Sequence, residues 1–592
     1  MTDKNRYTQR AGRAGRGLAL AASMAALLAA MPAGAQQGSS PAPSAPSTLS
    51  MLEAMVAGGV ITKQQAAAIL ADAQSRDAAK AATVAQTGQG TPPAQPAVRV
   101  QYVPQIVKDE IKAEVKKEVM AKAEAEGWAA PGETPEWTKR IKISGDVRGR
   151  YDGTFFPDGN LAGTSVPDSW DFNAVNAGKP MDVSKTPNLA NDRYHNVNQD
   201  RDRFRIRARI GVDADLGEGV TAGVRLATGS GNSPVSTNQT LGGSGGNFSK
   251  YQVWLDRAFL HWDALKDGKT ALGLDVGRFD NPFFSTDLIW DGDLGFDGLA
   301  AKGRYKATKE VTPFVTVGAF PIYNTDFNLS SNQPDKQASR DRWLFGVQSG
   351  ADWKVAPDVG MKLAAAYYHF DKISGKQSSP CALWDSSISC DTDDSRPGFA
   401  QKGNSYMSLR REIAGRPTGV TGEYQYFGLA SGFRELALTG RVDYDGLKPL
   451  FSDQPLRVSF DGEFVKNLAF DKKRLSDRSW NNTECGNNSG CRFEGGDTGY
   501  LARITVGTPK LAKRWDWNAS LAYKYVESDA VVDGLTDSDF GLGGTNLKGF
   551  ILGGNLALTK NVWTSLRWMS ADSIAGSSFS VDTVMLDLTG RF

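Results

Sequence analysis

From residue 141 to the end of the chain, apolar and polar residues alternate with a period of two. The segment RFRIRARIGVDADL at Arg203–Leu216 is the clearest case. Phe204, Ile206, Ala208, Ile210, Val212 and Ala214 share one face, and Arg and Asp fill the other. A β-strand with one apolar face has this period, because successive side chains point to opposite sides. A soluble sandwich strand alternates too, so the arrangement of the segments has to decide. About sixteen strands are predicted, near 141–152, 203–216, 220–229, 253–265, 270–279, 297–307, 312–321 and 342–355. The rest lie near 360–371, 433–446, 456–467, 498–508, 515–530, 547–559, 562–571 and 581–592. Roughly ten residues is the length a tilted strand needs to cross a bilayer. Every odd-numbered strand is followed by the longer link of its pair, among them 153–202, 230–252, 322–341, 372–432 and 468–497. Even-numbered strands are followed by tighter turns, such as Gly217-Glu218-Gly219 and Lys560-Asn561. Outer-membrane barrels have that asymmetry, with long loops outside and short turns in the periplasm. The expected fold is therefore an all-β transmembrane antiparallel β-barrel of about sixteen strands. The 372–432 link is long enough to hide one more hairpin, which would make eighteen.

The last strand, VDTVMLDLTGRF, alternates back from Phe592: Gly590, Leu588, Leu586 and Val584 share its face, and Arg591, Thr589 and Asp587 take the other. An aromatic end on such a strand is read as a barrel-assembly signal. This strand is expected to close against 141–152.

The segment before the barrel has a different period. Residues 1–35 read as a secretory signal: a basic start, the apolar run Leu18–Met31, and Ala33-Gly34-Ala35 as a small-x-small cleavage site. Residues 36–100 hold two short apolar-faced helices within Thr48–Arg76, then a Pro/Thr/Gln/Ala linker too polar to pack. Residues 101–136 carry an amphipathic helix marked by Val103, Ile106, Val107, Ile111, Val115 and Val119. Both stretches are expected in the periplasm, with the barrel occupying 137–592.

Composition agrees with export. Mean hydropathy is −0.38, and no apolar run past the N-terminus approaches the ~20 residues of a membrane helix. Lys4, Arg6, Arg10, Arg13 and Arg16 against Asp3 give the first 35 residues +4 of the chain's net +2, so the remainder carries −2 and nothing in its charge argues for nucleic acid. The four cysteines fall as two local pairs, Cys381/Cys390 and Cys485/Cys491, in polar stretches predicted to be outside loops. Two loop disulfides suit an oxidising compartment; a four-cysteine metal site would need distant loops to meet and lacks CxxC spacing.

The stretch Tyr102–Asp152 resembles the entry segment of the bacterial "putative porin" family. That family's first strand follows Pro-Glu-Trp and has the form Ser-Gly-Asp-hydrophobic-Arg-x-Arg-Tyr, matched here by Pro135, Glu136, Trp137, Ser144, Gly145, Asp146, Arg148, Arg150 and Tyr151. LDVGRFDNPFF at Leu274–Phe284 is similar to the family's Gly-Arg/Lys-Phe…Asn-Pro-Phe segment, and DRAFLHW at Asp256–Trp262 to one of its aromatic strands. The resemblance implies an outer-membrane channel and names no solute.

With apolar faces toward lipid, the other faces line the lumen. Arg203, Arg205, Arg207 and Arg209 then project inward from the second strand, Arg148 and Arg150 from the first and Arg225 from the third. Seven guanidiniums on adjoining strands would attract anions. The alternative is a neutralised wall, with these groups paired to Asp146, Asp213, Asp215 or acidic loops. Loop 280–296 carries Asp287, Asp291 and Asp293 and is either a constriction facing the arginines or a solvated outside loop. Trp343, Trp353, Tyr367, Trp515, Trp517, Trp563 and Trp568 fit interfacial girdles.

The function expected is a porin in the outer membrane of a Gram-negative bacterium, passing small hydrophilic solutes by passive diffusion, with a structural or adhesive barrel as the alternative. No catalytic residue, metal or cofactor is assigned: three His and no GxSxG motif make an enzyme a poor fit. The expected partners are outer-membrane lipid, the barrel-assembly machinery and the solutes, with a homo-oligomer such as a trimer left open.

Overall fold

The computed structural model describes residues 136–160, 167–184, 193–243, 245–325, 340–449, 454–484 and 491–592. The export signal, the helices and linker of 36–100 and the amphipathic helix of 101–136 lie outside the described residues, apart from one helical turn at Glu136–Arg140 that leads into the first strand.

Sixteen long strands follow. They are β1 (Ile141–Phe155), β2 (Arg201–Gly217), β3 (Val220–Thr228), β4 (Val253–Lys266), β5 (Thr270–Phe279), β6 (Phe296–Tyr305), β7 (Val311–Tyr323) and β8 (Arg342–Ala356). The second half comprises β9 (Val359–Asp371), β10 (Phe433–Leu447), β11 (Leu456–Asn467), β12 (Thr498–Gly507), β13 (Trp517–Val526), β14 (Leu547–Ala557), β15 (Val562–Ser573) and β16 (Ser580–Arg591). Each pairs antiparallel with its neighbours in sequence, and β1 pairs β16 from Asp146↔Arg591 to Phe155↔Asp582, so the sheet closes. A two-residue strand at Gln239–Thr240 adds to the edge of β2. The 372–432 link contributes no barrel strand. Its short strands at Tyr406–Ser408 and Phe427–Leu429 pair with each other outside the main sheet, which resolves the count at sixteen.

The outward faces are the predicted apolar ones. Phe204, Ile210, Leu260, Leu299, Phe460 and Leu521 are about half exposed, spread around the whole wall. So large an apolar surface is tolerable only against lipid. Trp353, Tyr367 and Trp515 are exposed with them. Trp563 departs from the girdle expectation: it shares the parity of Arg567 and meets the Arg591 guanidinium at 5.6 Å.

The apolar core lies inside the barrel, at the end where the long connections gather. Loop residues Trp170, Phe172, Val175, Tyr406 and Phe427 form one buried cluster with inward side chains of β5 through β16, among them Phe320, Leu344, Tyr368, Val465, Val526 and Met569. The Phe172 and Tyr406 rings stack at 4.1 Å. Apolar loop residues at this end have no lipid to face, and burying them against each other folds the loops into the mouth. The Cys381–Cys390 disulfide closes a small loop within 372–432. Cys491 is also disulfide-bonded, and Cys485 lies outside the described residues.

The seam explains the Ser-Gly-Asp motif. Gly145 and Phe592 exchange two backbone hydrogen bonds, at 3.1 and 3.0 Å. A Cβ on Gly145 would lie 2.5 Å from the Arg209 carbonyl oxygen and 2.6 Å from the Phe592 ring, whereas a Cβ on Gly149 would meet nothing within 4 Å. Both glycines share the outward face of β1, so the difference is the close approach of the terminal residue. Gly145→Val should lose most of the folded, heat-modifiable species on a gel, a cost of about 1–3 kcal/mol or more, while Gly149→Val folds normally. Equal folding of the two variants would remove the seam argument.

Candidate functional site

The β1–β2 register sets the charge pattern of one wall. Reading up the inward face, Asp146 opposes Arg209, Arg148 opposes Arg207, Arg150 opposes Arg205, and Asp152 opposes Arg203. Carboxylates therefore stand at both ends of the ladder, and its middle is arginine against arginine. Like charges on cross-strand neighbours are destabilising, by a few kcal/mol at the ~20 effective dielectric near a protein surface. The end carboxylates relieve part of this along the diagonal. Asp146 takes Arg209 at 2.7 Å and Arg207 at 2.8 Å. Asp152 takes Arg203 at 2.8 Å and Arg205 at 3.5 Å.

The middle is compensated from elsewhere. Asp587 on β16 receives a bidentate hydrogen bond from Arg150, at 2.7 and 2.9 Å, and lies 3.9 Å from Arg148. Asp539, in the loop between β13 and β14, meets Arg150 at 3.2 Å and Arg567 of β15 at 2.6 Å. Arg148 also donates to Asn238. Arg225 and Arg257 share Asp256 and Asp280 at 2.5–3.1 Å. The expected partners Asp213 and Asp215 make no ion pair among the described residues; only Asp146 of that set does. The wall is thus ion-paired but not neutral: nine guanidiniums share seven carboxylates, Asp293 of the crossing loop included.

Loop 280–295 folds inward and crosses the lumen. Its exit from the wall is bent by Gly277 and Gly298, which are register partners on β5 and β6 with φ of 113° and 141°. A Cβ on Gly277 would strike the Ala258 carbonyl of β4, and one on Gly298 the Ala319 carbonyl of β7. Asn281 then tightens the turn, its side chain accepting from Phe283 N at 2.9 Å and donating to Ser285 Oγ at 2.9 Å. These are the Gly277, Asn281 and Phe283 of the segment LDVGRFDNPFF. Beyond the turn, Gln348 of β8 holds Phe284 through two bonds of 2.8 Å, and Glu463 of β11 accepts from Thr286 N and Oγ1. Asp287 pairs with Arg503 of β12, and its carbonyl accepts from the buried Lys524 Nζ of β13 at 2.9 Å. The loop thus reaches the far side of the barrel, where each such bond contributes about 1 kcal/mol.

On its return the loop packs against residues 532–539. Asp291 N donates to the Leu535 carbonyl, Thr536 Oγ1 donates to the Leu288 carbonyl, and Asp291 Oδ2 accepts from Ser538 N at 2.9 Å. Asp293 then stands 3.8 Å from Arg207 and 3.7 Å from Arg209, accepting also from Thr237. The three aspartates, read from the sequence either as a constriction facing the arginines or as a solvated loop, are therefore separated. Only Asp293 faces the arginines; Asp287 serves the opposite wall, and Asp291 is buried between two loops.

Burial, then the neighbouring Asp537, pushes the Asp291 carboxyl up to about 8. Burial works against ionisation of Asp539 as well, but Arg567 and Arg150 outweigh it and hold that carboxyl well below the usual range. Sequence reasoning missed Asp539, Asp587 and Asp256 as partners. Asp587 was legible as an inward position of the last strand, but Asp539 carries no local signal.

Two cavities flank the crossing loop along the arginine wall. One, of about 440 Å³ toward the loop end, is lined by Arg201, Arg203, Arg205, Lys402, Asp152 and Asp539 among others. The other, of about 610 Å³ toward the turns, is lined by Arg209, Arg225, Asp280, Asp287, Arg441 and Arg503 among others. Between them lie Arg148, Arg207 and Asp293.

A family model described as a putative porin matches residues 45–592. No curated protein matches the chain. Among the solved structures that match, three of low identity illustrate the likeness. Pseudomonas putida OprB, in a high-pH structure, has 13% identity and a TM-score of 0.38, covering 77% of this chain and 95% of that one. The outer membrane channel DcaP of Acinetobacter baumannii has 10% and 0.32, over 76% and 97%. Salmonella typhi OmpF, in complex with daunomycin, has 11% and 0.34, over 76% and 97%.

A carboxyl with a raised folded-state value stabilises the fold while protonated. That contribution is complete below the unfolded value of 3.8 and is lost as pH rises through about 8. Between pH 7 and 9, ionisation of Asp291 beside Asp537, Asp293 and Asp539 should loosen the packing of the crossing loop. Single-channel recordings are expected to become noisier over this range for the wild type and to stay quiet for Asp291→Asn. The same pH response in both would show that Asp291 does not control the loop.

Proposed function

The chain belongs to the putative porin family, and from that premise we propose that it forms a water-filled channel through the outer membrane for small hydrophilic solutes, with a preference for anions. The observation that carries this reading is the position of the free space. The apolar cluster inside the barrel draws on the inward faces of β5 to β16 and on the long loops, with Phe259 of β4 packed against it, and takes nothing from β2 or β3. Packing therefore fills the lumen on one side and leaves the arginine wall lining the other. Arg203 and Arg205 line the loop-end cavity and Arg209 the turn-end one, with Arg207 between them on the same face of β2.

Anion preference follows from the unequal sharing along that route. Arginine stays charged at any relevant pH, and a low-dielectric wall focuses the field of an uncompensated charge into the bore. Two guanidiniums in excess across a narrow path favour anions without excluding cations outright, because most of the stripe is paired. Asp293, opposite Arg207 and Arg209, adds a field across the path. The outward faces meet outer-membrane lipid.

In planar bilayers, wild-type protein is expected to conduct and to give an anion-selective reversal potential in a salt gradient. Arg205→Ser with Arg207→Ser should lower the anion-to-cation permeability ratio by roughly two- to ten-fold. Folded protein that never conducts would favour the structural or adhesive barrel, and a ratio unmoved by the two substitutions would remove the arginine wall from the mechanism.

A further inference from the structure

The two cavities on the proposed path differ in charge. The turn-end cavity is nearer balance: Arg209, Arg225, Arg441 and Arg503 face Asp280, Asp287 and Asp461, and Asp291, its carboxyl pushed up to about 8, adds no full charge at neutral pH. The loop-end cavity sets Arg201, Arg203, Arg205 and Lys402 against Asp152 and Asp539 only. Of these two carboxylates, Asp539 is engaged by Arg150 and Arg567, which lie outside the cavity lining. Asp152 uses a single oxygen, Oδ2, for both Arg203 and Arg205.

Donors are left over. Among the described residues, Nε of Arg203 and Nε of Arg205 are buried with no hydrogen-bond partner; on the same lining Nε2 of His195, donor or acceptor by tautomer, and the acceptor Oδ1 of Asp152 are also unpartnered. The Lys402 ammonium makes no hydrogen bond or ion pair among the described residues and sits 4.4 Å above the Phe579 ring. Unsatisfied buried donors are costly, so an acceptor that fills them binds favourably. The remaining lining is mixed: Thr154, Asn196, Ser236, Ser538 and Thr583 are polar, and half-buried Phe579 and Leu542, beside Phe156 and Met585, give it one apolar side.

We propose that this cavity is a binding subsite for an organic carboxylate, its oxygens held by Arg203, Arg205 and Lys402 and its hydrocarbon part against Phe579 and Leu542. The assignment rests on the channel reading above and gives it a solute class. A bare inorganic anion would satisfy the donors but leave the apolar side wet; a neutral solute of the same shape would leave the donors unfilled. Planar guanidinium groups match a carboxylate through paired N–H donors, and the ammonium adds a point charge. Burial pushes the Lys402 ammonium down to about 7, so an arriving carboxylate also secures its proton.

The test is block of the chloride current through wild-type protein in a planar bilayer, with benzoate, benzyl alcohol or sulfate added from the loop side. Benzoate is expected to block saturably, benzyl alcohol not at all, and sulfate more weakly than benzoate. Lys402→Gln should raise the half-blocking benzoate concentration by about ten-fold, the loss of one charge-assisted contact. Arg203→Gln serves as a second variant, and heat-modifiable gel mobility checks that both fold. A channel that conducts chloride but ignores benzoate overturns the subsite and leaves the channel reading standing. Sulfate blocking as well as benzoate overturns the organic assignment. If wild type carries no current, the channel reading fails first; benzoate is then titrated into detergent-solubilised barrel by calorimetry, where absence of binding overturns the subsite too.

Discussion

A β-sheet in hydrocarbon cannot have an edge, because an unpaired N–H or C=O there finds no water to replace its partner. Closure of β1 on β16 is the constraint on which the rest of this structure depends. It brings the terminal Phe592 onto Gly145, in the same strand that presents Arg148 and Arg150 to the lumen. It also delivers Asp587 to Arg150, since the closing strand is the one that carries that carboxylate inward. The seam is thus both the mechanical lock of the barrel and the first source of charge compensation for its wall.

The second source is the pair of inward loops. Strand register puts Arg148 opposite Arg207 and Arg150 opposite Arg205, an arrangement the two strands cannot neutralise by themselves. Asp539 and Asp293 arrive on different loops, and the same loops are joined to each other through Asp291, Leu535 and Ser538. Removing either carboxylate would strand guanidiniums already half withdrawn from water, a larger penalty than the net worth of the pair. The charge on the wall and the position of the loops therefore support each other.

Much of the barrel was legible in the sequence because its information is local. Alternation with period two, ten-residue runs and the long/short rhythm of the links placed all sixteen strands, and the lumen face of β2 followed from parity alone. The 372–432 link stayed ambiguous because its length allowed a hairpin; its short strands lack the alternating apolar face that lipid demands. The partners of the arginines were not legible. Asp539 lies 389 residues from Arg150, and only the closed three-dimensional wall brings them together. Loop 280–296 was undecided for a related reason. Its aspartates read equally well as solvated, and the inward turn depends on the facing Gly277 and Gly298, whose register is a tertiary fact. A usable signal did exist in Leu288, Ile289 and Trp290, three consecutive large apolar residues in a link that a solvated loop would not carry.

That signal generalises to the whole mouth. Trp170, Phe172, Phe427, Val531 and Val532 sit in long connections, beyond the lipid, where apolar side chains are stable only against each other. Their burial fills the side of the lumen bounded by β5 to β16, and so leaves the inward faces of β2 and β3 out of the apolar cluster. In the proposed channel, selectivity then needs no ring of charge around a central bore, because one charged wall faces a packed one. A path defined on one face by strands and on the other by loops has a further property. In the proposed channel, any movement of the loops would change the width of the path and withdraw Asp293 and Asp539 in the same step, coupling bore and field.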